Sequence, residues 1–275
     1  MAEQRVVLVT GASSGVGQAT ARLLAQRGYQ VFGTSRNLVR SGDTPGVTMV
    51  ALDVRSDDSV AACLSTVSGP AGRLDVLVNN AGYEQAGALE ELSLDEAKAQ
   101  FETNFFGVVR MVKAVLPLMR RQMRGQIINV SSLSGLSPIP FMGMYSASKF
   151  ALDGYTEALR LEVKPFNIRV SQIEPGFLRT PMMNRRQTAT NPIAEYDPWR
   201  QRAYEAIRAY EEKGPGPELV ANAIGKIADS KRPRLRYVVG QQAVTITRLR
   251  RFLPEAVFER GARSAFRLDR TAARS

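Results

Sequence analysis

Short apolar runs rich in β-branched residues alternate along the chain with longer segments of helical periodicity. Seven runs have the length and composition of buried strands, at residues 6–9, 31–34, 47–52, 74–78, 126–130, 168–173 and 237–240. The spacing of apolar residues predicts helices at 18–27, 59–67, about 102–123 and 145–163. Strands that are buried on both faces are apolar throughout. The pattern therefore predicts an α/β fold, with a doubly wound parallel sheet of about seven strands and helices on both faces.

Polar and glycine-rich clusters directly follow most of the predicted strands. In a doubly wound sheet, ligands bind beyond the carboxyl ends of the strands, where the strand order reverses. The clusters are 11–17 after the first strand, Asp53 after the third, 79–82 after the fourth, Ser131 and Ser132 after the fifth, and Pro175 and Gly176 after the sixth. The sequence therefore predicts one site along this edge of the sheet.

Composition narrows the chemistry that such a site can perform. The 275-residue chain is 44% hydrophobic and has neither a signal-peptide core nor an apolar stretch long enough to span a bilayer. It contains no histidine, which excludes Ser-His-Asp and Cys-His catalysis and most zinc sites, so no metal site is predicted. Its single cysteine, Cys63, is compatible with a reducing cytoplasm, where we expect the protein to work.

The formal net charge of +11 is concentrated near the C-terminus. Residues 231–275 contain 12 Lys and Arg against 3 Asp and Glu, and arginines alternate with apolar residues over 244–268. Such a basic amphipathic segment either packs on its own domain or on a second subunit, or it makes peripheral contact with an anionic membrane surface. We favour packing. We expect no nucleic acid as a partner, because no recognised binding module accompanies the charge.

A glycine-rich segment joins the first predicted strand to the first predicted helix. It is Thr10-Gly-Ala-Ser-Ser-Gly-Val-Gly17, with the spacing G-x-x-x-G-x-G. Glycine permits positive φ and lets the backbone approach a pyrophosphate closely, and the start of the helix offers free N–H groups to an anion. Taken alone, the segment is also compatible with an ordinary glycine-rich turn.

The chain resembles the single-domain branch of the short-chain dehydrogenase/reductase family over about its first 180 residues. The matching motifs are Thr10-Gly-Ala-Ser-Ser-Gly-Val-Gly17, Asp53-Val54, Asn79-Asn-Ala-Gly82, Asn104, Ser132, Tyr145-Ser-Ala-Ser-Lys149, Pro175-Gly176 and Thr180, in the family's order and spacing. The resemblance implies a single Rossmann-type catalytic domain over 1–275. Within it we expect a cofactor and catalytic core at 1–180, a substrate lid at about 181–216 and a basic extension at about 241–275. It also implies a homodimer or homotetramer.

The resemblance further implies roles for individual residues. A nicotinamide dinucleotide is expected to contact Gly11, Ser13, Ser14, Gly15, Val16, Gly17, Ser35, Arg36, Asp53, Val54, Asn80, Ala81, Gly82, Tyr145, Lys149, Pro175, Gly176 and Thr180. Within this set, Asp53 and Val54 are expected at the adenine, Asn80 and Ala81 along the ribose, and Thr180 near the nicotinamide amide. Lys149 is expected to hold the nicotinamide ribose as well, and Asn104 to anchor a water in a proton relay.

The predicted catalytic residues are Asn104, Ser132, Tyr145 and Lys149. Tyr145 and Lys149 are four residues apart in a helical segment, which puts both on one face. Ser132 lies thirteen residues before the tyrosine, as in the family pattern, which favours it over the neighbouring Ser131. Tyrosine has an ordinary pKa of about 10, too high for easy proton transfer in both directions at neutral pH, and a nearby cation lowers it. We therefore predict Tyr145 as the acid/base, with Lys149 lowering its pKa and Ser132 holding the substrate oxygen.

The end of the second strand predicts the cofactor preference. An acidic residue there would accept hydrogen bonds from an adenosine ribose, whereas an arginine favours a 2′-phosphate. The chain has Ser35 and Arg36 at this position and no acid. The sequence therefore favours NADP(H) over NAD(H), unless Arg36 is only a solvated loop charge.

Apolar residues near the predicted chemistry indicate the substrate class. The loop 136–144 is apolar and punctuated by proline, and Phe177, Leu178, Met182, Met183, Tyr196 and Trp199 follow the sixth strand. These residues could line an apolar pocket or simply pack. Together with a likeness to the steroid and retinoid dehydrogenases of the family, they predict a small lipophilic ketone, aldehyde or alcohol as substrate. The alternatives are a catalytically silent NADP(H)-binding or scaffold protein and a sugar-nucleotide epimerase or dehydratase of the family's extended branch.

Overall fold

The computed structural model describes residues 4–39, 44–69 and 72–269 and contains a seven-stranded sheet. Its strands are β1 (Val6–Val9), β2 (Gln30–Ser35), β3 (Val47–Ala51), β4 (Val76–Asn79), β6 (Gly125–Val130), β7 (Ile168–Pro175) and β9 (Arg236–Val239). Two further strands, β5 (Gln85–Ala86) and β8 (Gln187–Thr188), pair with each other outside this sheet. All seven predicted strands are present, with bounds that differ from the prediction by at most two residues.

The strand order of the large sheet is β3-β2-β1-β4-β6-β7-β9, and every pairing in it is parallel. The order reverses between β1 and β4, so a crevice opens there at the carboxyl edge of the sheet. This topology confirms the predicted Rossmann-type, doubly wound fold.

Helices cover both faces of the sheet. They are α1 (Gly15–Gln26), α2 (Asp57–Ser68), α3 (Leu94–Phe101), α4 (Gly107–Arg121), α5 (Gly143–Glu162), α6 (Asp197–Glu212), α7 (Glu218–Asp229), α8 (Gln241–Phe252) and α9 (Glu255–Ala265). Side chains alternate along a strand, so Val6 and Leu8 pack in one core with α2, α4 and α5, while Val7 and Val9 pack in a second core with α1 and α7. The sheet is thus buried on both sides, as its continuous apolar strands predict.

The helix predicted at about 102–123 is longer and less regular than its pattern indicates. Its helical path begins with α3, passes through a single π-helical turn at Glu102–Phe106, and ends with α4. The capping box of Ser93 and Glu96 starts this path at Leu94, eight residues before the predicted start. Single π turns inside α-helices are frequent at functional sites, and this one contains Asn104.

The C-terminal region packs on its own domain. Phe266 is buried in a third core cluster with Tyr145, Ile207 and Met142, and its ring meets that of Tyr210 edge-on at 6.4 Å. This contact agrees with the favoured interpretation of the basic extension, whose residues 270–275 lie outside the described residues. Leu249, Phe252 and Val257 remain exposed. Over the described ranges, no helix is long and apolar enough to cross a membrane.

Candidate active site

A cleft of about 720 Å³ opens at the carboxyl edge of the sheet and contains almost the entire predicted site. All predicted catalytic residues line it, and so do all predicted cofactor contacts other than Gly17. The cleft extends from Arg36 and Asp53 at one end to Ile207 and Glu211 at the other. The predicted residues that line it, from Gly11 to Thr180, are up to 169 positions apart in the chain and lie together, as predicted from the strand ends.

The glycine loop turns sharply between β1 and α1. Gly11 and Gly15 have φ of +67° and +56°, in the left-handed region that favours glycine. Gly17 lies behind the cleft surface, where an added Cβ would meet the Gly11 carbonyl oxygen at 2.3 Å and Asn80 Nδ2 at 2.5 Å. The third glycine is therefore required for close packing of the loop rather than for direct contact with a ligand.

The start of α1 suits an anionic group. Within the described part of the chain, the Ser14 side chain makes no capping hydrogen bond to the first turn, so backbone N–H groups there remain free to donate. Asn80 Nδ2 donates to the carbonyl oxygens of Thr10 and Gly11, at 3.0 and 3.1 Å, and fixes the loop from the side of β4. The tight glycine cradle and the uncapped helix start fit the pyrophosphate of a dinucleotide.

Charged groups meet at the far end of the cleft, after β2 and β3. Exposed Arg36 follows β2, and its positive charge contributes to a lowered pKa of the Asp53 carboxyl. The largest cause of that lowering is the hydrogen bonding from Arg55, which donates to Asp53 through Nε at 2.9 Å and through Nη2 at 2.6 Å. Sequence analysis missed Arg55, although its position two residues after Asp53 was a signal for such a fork.

Ser132, Tyr145 and Lys149 converge in the middle of the cleft. Ser132 follows the end of β6, and its hydroxyl is close enough to the Tyr145 phenol to lower the pKa of that group in part. Lys149 Nζ lies 5.7 Å from the centre of the tyrosine ring. Lys149 Nζ donates to the Val130 carbonyl oxygen at 2.9 Å, which fixes the ammonium beside the end of β6. One face of α5 and one strand end therefore supply all three groups.

In this structure burial, rather than Lys149, has the largest effect on the pKa of the Tyr145 phenol; the lowering of that pKa by Lys149 stays a prediction. Burial raises the pKa of the Tyr145 phenol, Glu84 adds to the rise, and the hydrogen bond from Ser132 only partly opposes it. Burial also lowers the pKa of Lys149 to about 8. The physical reason is that both groups are nearly removed from water, so the cost of dehydrating a phenolate exceeds the stabilisation by nearby charge.

The neighbouring serines have different partners. The Ser131 hydroxyl donates to the buried Asp153 carboxylate, which also pairs with Arg236 of β9 at 3.2 Å. Ser131 thus belongs to a buried ionic network between α5 and β9, whereas Ser132 contacts Tyr145.

Asn104 is held rigidly by the backbone of one residue. Its Oδ1 accepts from the Tyr83 N–H at 3.1 Å, and its Nδ2 donates to the Tyr83 carbonyl oxygen at 3.0 Å. Both ends of the amide are therefore engaged with the segment after β4. The role in a proton relay that the family resemblance implies for Asn104 stays a prediction.

Apolar and acidic side chains line the end of the cleft beyond Tyr145. Ile139, Met142, Phe177, Leu178, Met182, Met183 and Ile207 form its apolar part. Two residues expected nearby have other partners: Tyr196 donates to Glu90 at 2.8 Å, and the Trp199 ring lies under the Arg202 guanidinium. Sequence analysis also missed Glu84 and Glu211, which line this end. Neither residue belongs to a motif recognised in the sequence, and the two lie 127 positions apart.

Comparison with known proteins identifies the family. Residues 5–191 match the family model described as short chain dehydrogenase. The chain belongs to the short-chain dehydrogenase/reductase family. This confirms the resemblance and makes the protein an oxidoreductase of a family that uses nicotinamide cofactors and acts on carbonyl and alcohol substrates.

Two relatives match nearly the full domain. A 3-ketodihydrosphingosine reductase of Bacteroides thetaiotaomicron is 41% identical over 260 residues, covering 94% of this chain and 96% of the relative. Retinol dehydrogenase 8 of Bos taurus is 42% identical over 252 residues, covering 84% of this chain and 80% of the relative.

Solved structures agree with the fold and the cofactor class. A short-chain dehydrogenase from Streptomyces avermitilis superimposes with a TM-score of 0.80 at 32% identity, covering 97% of both chains. A variant of actinorhodin polyketide ketoreductase with NADPH has a TM-score of 0.73 at 31% identity, over 86% of this chain and 97% of that one. A family member from Burkholderia phymatum in complex with NAD has a TM-score of 0.80 at 26% identity, over 90% and 93%. Similar structures thus contain either NADPH, which has a 2′-phosphate, or NAD, which lacks it.

Proposed function

We propose that the protein is an NADP(H)-dependent carbonyl reductase or alcohol dehydrogenase. It interconverts a ketone or aldehyde and an alcohol on a lipophilic substrate, by direct hydride transfer with Tyr145 as acid/base. The observation on which this proposal depends is the convergence of Ser132, Tyr145 and Lys149 in one cleft with the glycine loop.

The cofactor would be held along the whole carboxyl edge of the sheet. Its pyrophosphate fits the loop of Gly11 to Gly17 and the start of α1, with Asn80 supporting the loop. The nicotinamide, when bound, supplies or accepts the hydride. By the family resemblance, Lys149 would hold the nicotinamide ribose and Thr180 would lie near the nicotinamide amide. Thr180 is next to the glycine loop: a Cβ added to Gly15 would lie 3.8 Å from Thr180 Cβ.

Tyr145 is suited first to donating a proton. The hydroxyl is protonated at neutral pH, because the ordinary pKa of tyrosine is already about 10 and burial raises the pKa of Tyr145 further, so it can donate to a developing alkoxide oxygen. Ser132 can donate to the same oxygen and stabilise the charge that develops there. When a hydride reaches the carbonyl carbon, the carbonyl oxygen takes the phenolic proton, and the Lys149 ammonium beside the ring stabilises the phenolate that remains. In the oxidation of an alcohol the same groups act in reverse.

The proposal predicts that Tyr145→Phe abolishes turnover without abolishing cofactor binding. The phenyl ring keeps the packing in the third core cluster but removes the proton donor. NADPH oxidation with lipophilic ketones should fall by at least about 100-fold, measured by absorbance, while NADPH binding measured by fluorescence is retained. Substantial activity in this variant would refute the assignment, and an inactive wild-type protein that still binds NADPH would favour the silent binding protein instead.

We propose NADP(H) rather than NAD(H) because Arg36 follows β2 in the cleft and no acidic side chain replaces it there. Arg36→Asp should lower the ratio of kcat/KM with NADPH to kcat/KM with NADH by about 100-fold, since it removes a charge-assisted contact and adds repulsion. The matched control is Arg22→Asp on the exposed side of α1. An Arg36→Asp ratio equal to that of the control would end the claim.

A lipophilic substrate is supported by the apolar end of the cleft and by two relatives whose names specify 3-ketodihydrosphingosine and retinol. We further propose that the 181–216 segment acts as the substrate lid, since Met182, Met183 and Glu211 of this segment line the cleft. A cytoplasmic location and a homodimer or homotetramer are secondary parts of the proposal. Peripheral membrane contact through exposed Leu249, Phe252 and Val257 is the alternative to packing for the outer side of the basic extension.

A further inference from the structure

Asp153 lies on the face of α5 that contains two of the predicted catalytic residues. Tyr145, Lys149 and Asp153 follow one another at intervals of four residues, so their side chains lie along one face of the helix. The Asp153 side chain is only 6% exposed. A buried carboxylate is costly unless it is paired, so its partners indicate what it does.

A single residue, Ser131, connects Asp153 to Lys149. The Ser131 hydroxyl donates to Asp153 Oδ1, and the Ser131 N–H donates to the Ile173 carbonyl oxygen of β7 at 2.9 Å. The carbonyl group of the same peptide belongs to Val130, and it accepts from Lys149 Nζ at 2.9 Å. A peptide group is planar and rigid, so fixing Ser131 also fixes the acceptor of the ammonium. Asp153 therefore helps to hold the peptide group that positions Lys149.

The loop after β6 closes over the contact between Asp153 and Ser131. A Cβ added to Gly135 would lie 3.0 Å from Asp153 Oδ2 and 3.1 Å from Ser131 Oγ. A larger residue at this position would press on both groups. The carboxylate is thus separated from bulk water, and its charge is screened less than that of a surface carboxylate.

Arg236 of β9 favours the ionised form of Asp153 but is shared with other carboxyl groups. Its Nη1 lies 3.2 Å from Asp153 Oδ2, and the same guanidinium pairs with Glu157 and Glu174. Burial raises the pKa of Asp153, while the Ser131 hydrogen bond, Arg236 and Lys149 oppose that rise. Because one guanidinium serves three carboxyl groups, Lys149 is a second cation on which the charge of Asp153 acts.

The effect of Asp153 on Lys149 has the same physical origin. Burial lowers the pKa of the Lys149 ammonium to about 8, and Asp153 opposes this lowering more than Glu84 does. Without the Asp153 carboxylate, the pKa of Lys149 would be lower still, and less of the ammonium would be present near neutral pH. The stabilisation of a Tyr145 phenolate depends on that ammonium.

We propose that Asp153 is a positioning residue of the reaction, which holds Lys149 in place through Ser131 and keeps it in the ammonium form. This inference rests on the proposed function and adds to it a residue that belongs to no motif recognised in the sequence. Asp153 acts through Lys149, since Ser131 lies between it and the cleft.

The competing interpretation is a purely structural joint between α5 and β9. Glu157 offers a matched control for such a joint, because it lies one turn after Asp153 on the same face of α5 and pairs with the same Arg236 guanidinium. The Glu157 side chain is 49% exposed. Its loss disturbs the same ionic network but leaves the carboxylate beside Ser131.

The test measures the ionisation of Lys149 by NMR in the full-length protein, with lysine labelled with ¹³C at the ε carbon. Lys149→Arg identifies the resonance. Asp153→Asn keeps the shape of the side chain and an acceptor for Ser131 but removes the charge, so the midpoint of the Lys149 titration should fall by about one pH unit. Glu157→Gln should move this midpoint by less than about 0.3 pH unit.

The same change should appear in catalysis with NADPH and a lipophilic ketone. Since Asp153→Asn loses the ammonium at lower pH, the basic limb of its kcat profile should shift to lower pH by the amount measured for Lys149. Well below the midpoint, where Lys149 is charged in both proteins, their kcat values should agree within a few-fold. Loss of a structural joint would instead lower kcat by one factor at every pH.

The inference is wrong if Asp153→Asn leaves the Lys149 midpoint unchanged, or if Glu157→Gln lowers it equally. Should Asp153→Asn protein not fold, Arg236→Gln replaces it. Loss of that cation should raise the midpoint, and an unchanged or lowered midpoint would overturn the inference. A wild-type protein that oxidises no NADPH with any ketone would refute the proposed function, while the NMR titration would still decide whether Asp153 controls Lys149.

Discussion

Ser131 and Ser132 are adjacent and chemically identical, yet the fold gives them different roles. Both line the cleft at the end of β6. The Ser131 hydroxyl is bound to Asp153, a carboxyl whose pKa is raised by burial and lowered in part by this hydrogen bond. Ser132 contacts the Tyr145 phenol. Only the second serine has its side chain available to a substrate oxygen at the tyrosine.

Alanine substitutions of the two serines should separate stability from catalysis. Ser131→Ala removes a hydrogen bond to a buried carboxyl and should lower the free energy of unfolding by about 1–3 kcal/mol, with kcat changed by no more than a few-fold. Ser132→Ala should lower the free energy of unfolding by no more than about 1 kcal/mol, for the hydrogen bond that its Oγ accepts from the Ser134 N–H. It should lower kcat by about 100-fold, because it removes a donor to the developing oxyanion. Urea denaturation and steady-state kinetics measure both effects. The reverse pattern would exchange the assigned roles.

At the scale of elements, α8 and α9 differ in how their ends pack. The residue that follows α9 is buried against the domain, whereas the last residue of α8 is exposed. Phe266, just after α9, is 8% exposed and contacts Tyr210 of α6, whose ring stacks on Phe177 at 5.2 Å. Phe252, the last residue of α8, is 76% exposed. Phe266, directly after α9, is therefore joined through Tyr210 of α6 to Phe177, which lines the cleft.

This arrangement predicts unequal effects of two Phe→Ala substitutions. Phe266→Ala should lower the free energy of unfolding by about 2–4 kcal/mol and raise KM, because a cavity opens beside Ile207 and Tyr145 in the third core cluster. Phe252→Ala, the control, should change stability by less than about 0.5 kcal/mol. Chemical denaturation with ketone kinetics gives both values. Equal effects would mean that the basic extension does not depend on Phe266 for its packing.

Element bounds show where local sequence suffices and where it does not. The strands were predicted within two residues because their apolar runs end at polar turns. The path from α3 through the π turn into α4 was predicted to start too late, since a π turn shifts the helical register and breaks the apolar period. The β5–β8 ribbon was missed because each strand has two residues, too few for a pattern.

For the whole molecule, the order of motifs along the chain was enough to predict the sheet, the crevice and a set of site residues of which all but Gly17 line that crevice. Parallel strands bring their carboxyl ends to one edge, so a motif after each strand must lie at that edge. The family match confirms this reasoning for the fold and the cofactor class. The motifs do not predict the end of the cleft beyond Tyr145. There residues next to β5 and β8 meet residues of α6, and these residues share no motif.

The sequence by itself determined the parallel sheet, the glycine-rich loop between β1 and α1 and the placement of Tyr145 and Lys149 on one helix face, because each depends on periodicity or spacing over a few residues. Only the tertiary structure decided the burial of Tyr145, which raises its pKa, and the Glu84–Arg186–Glu211 cluster. Both depend on how much water is excluded and on which distant charges come together, and neither quantity is written in local spacing.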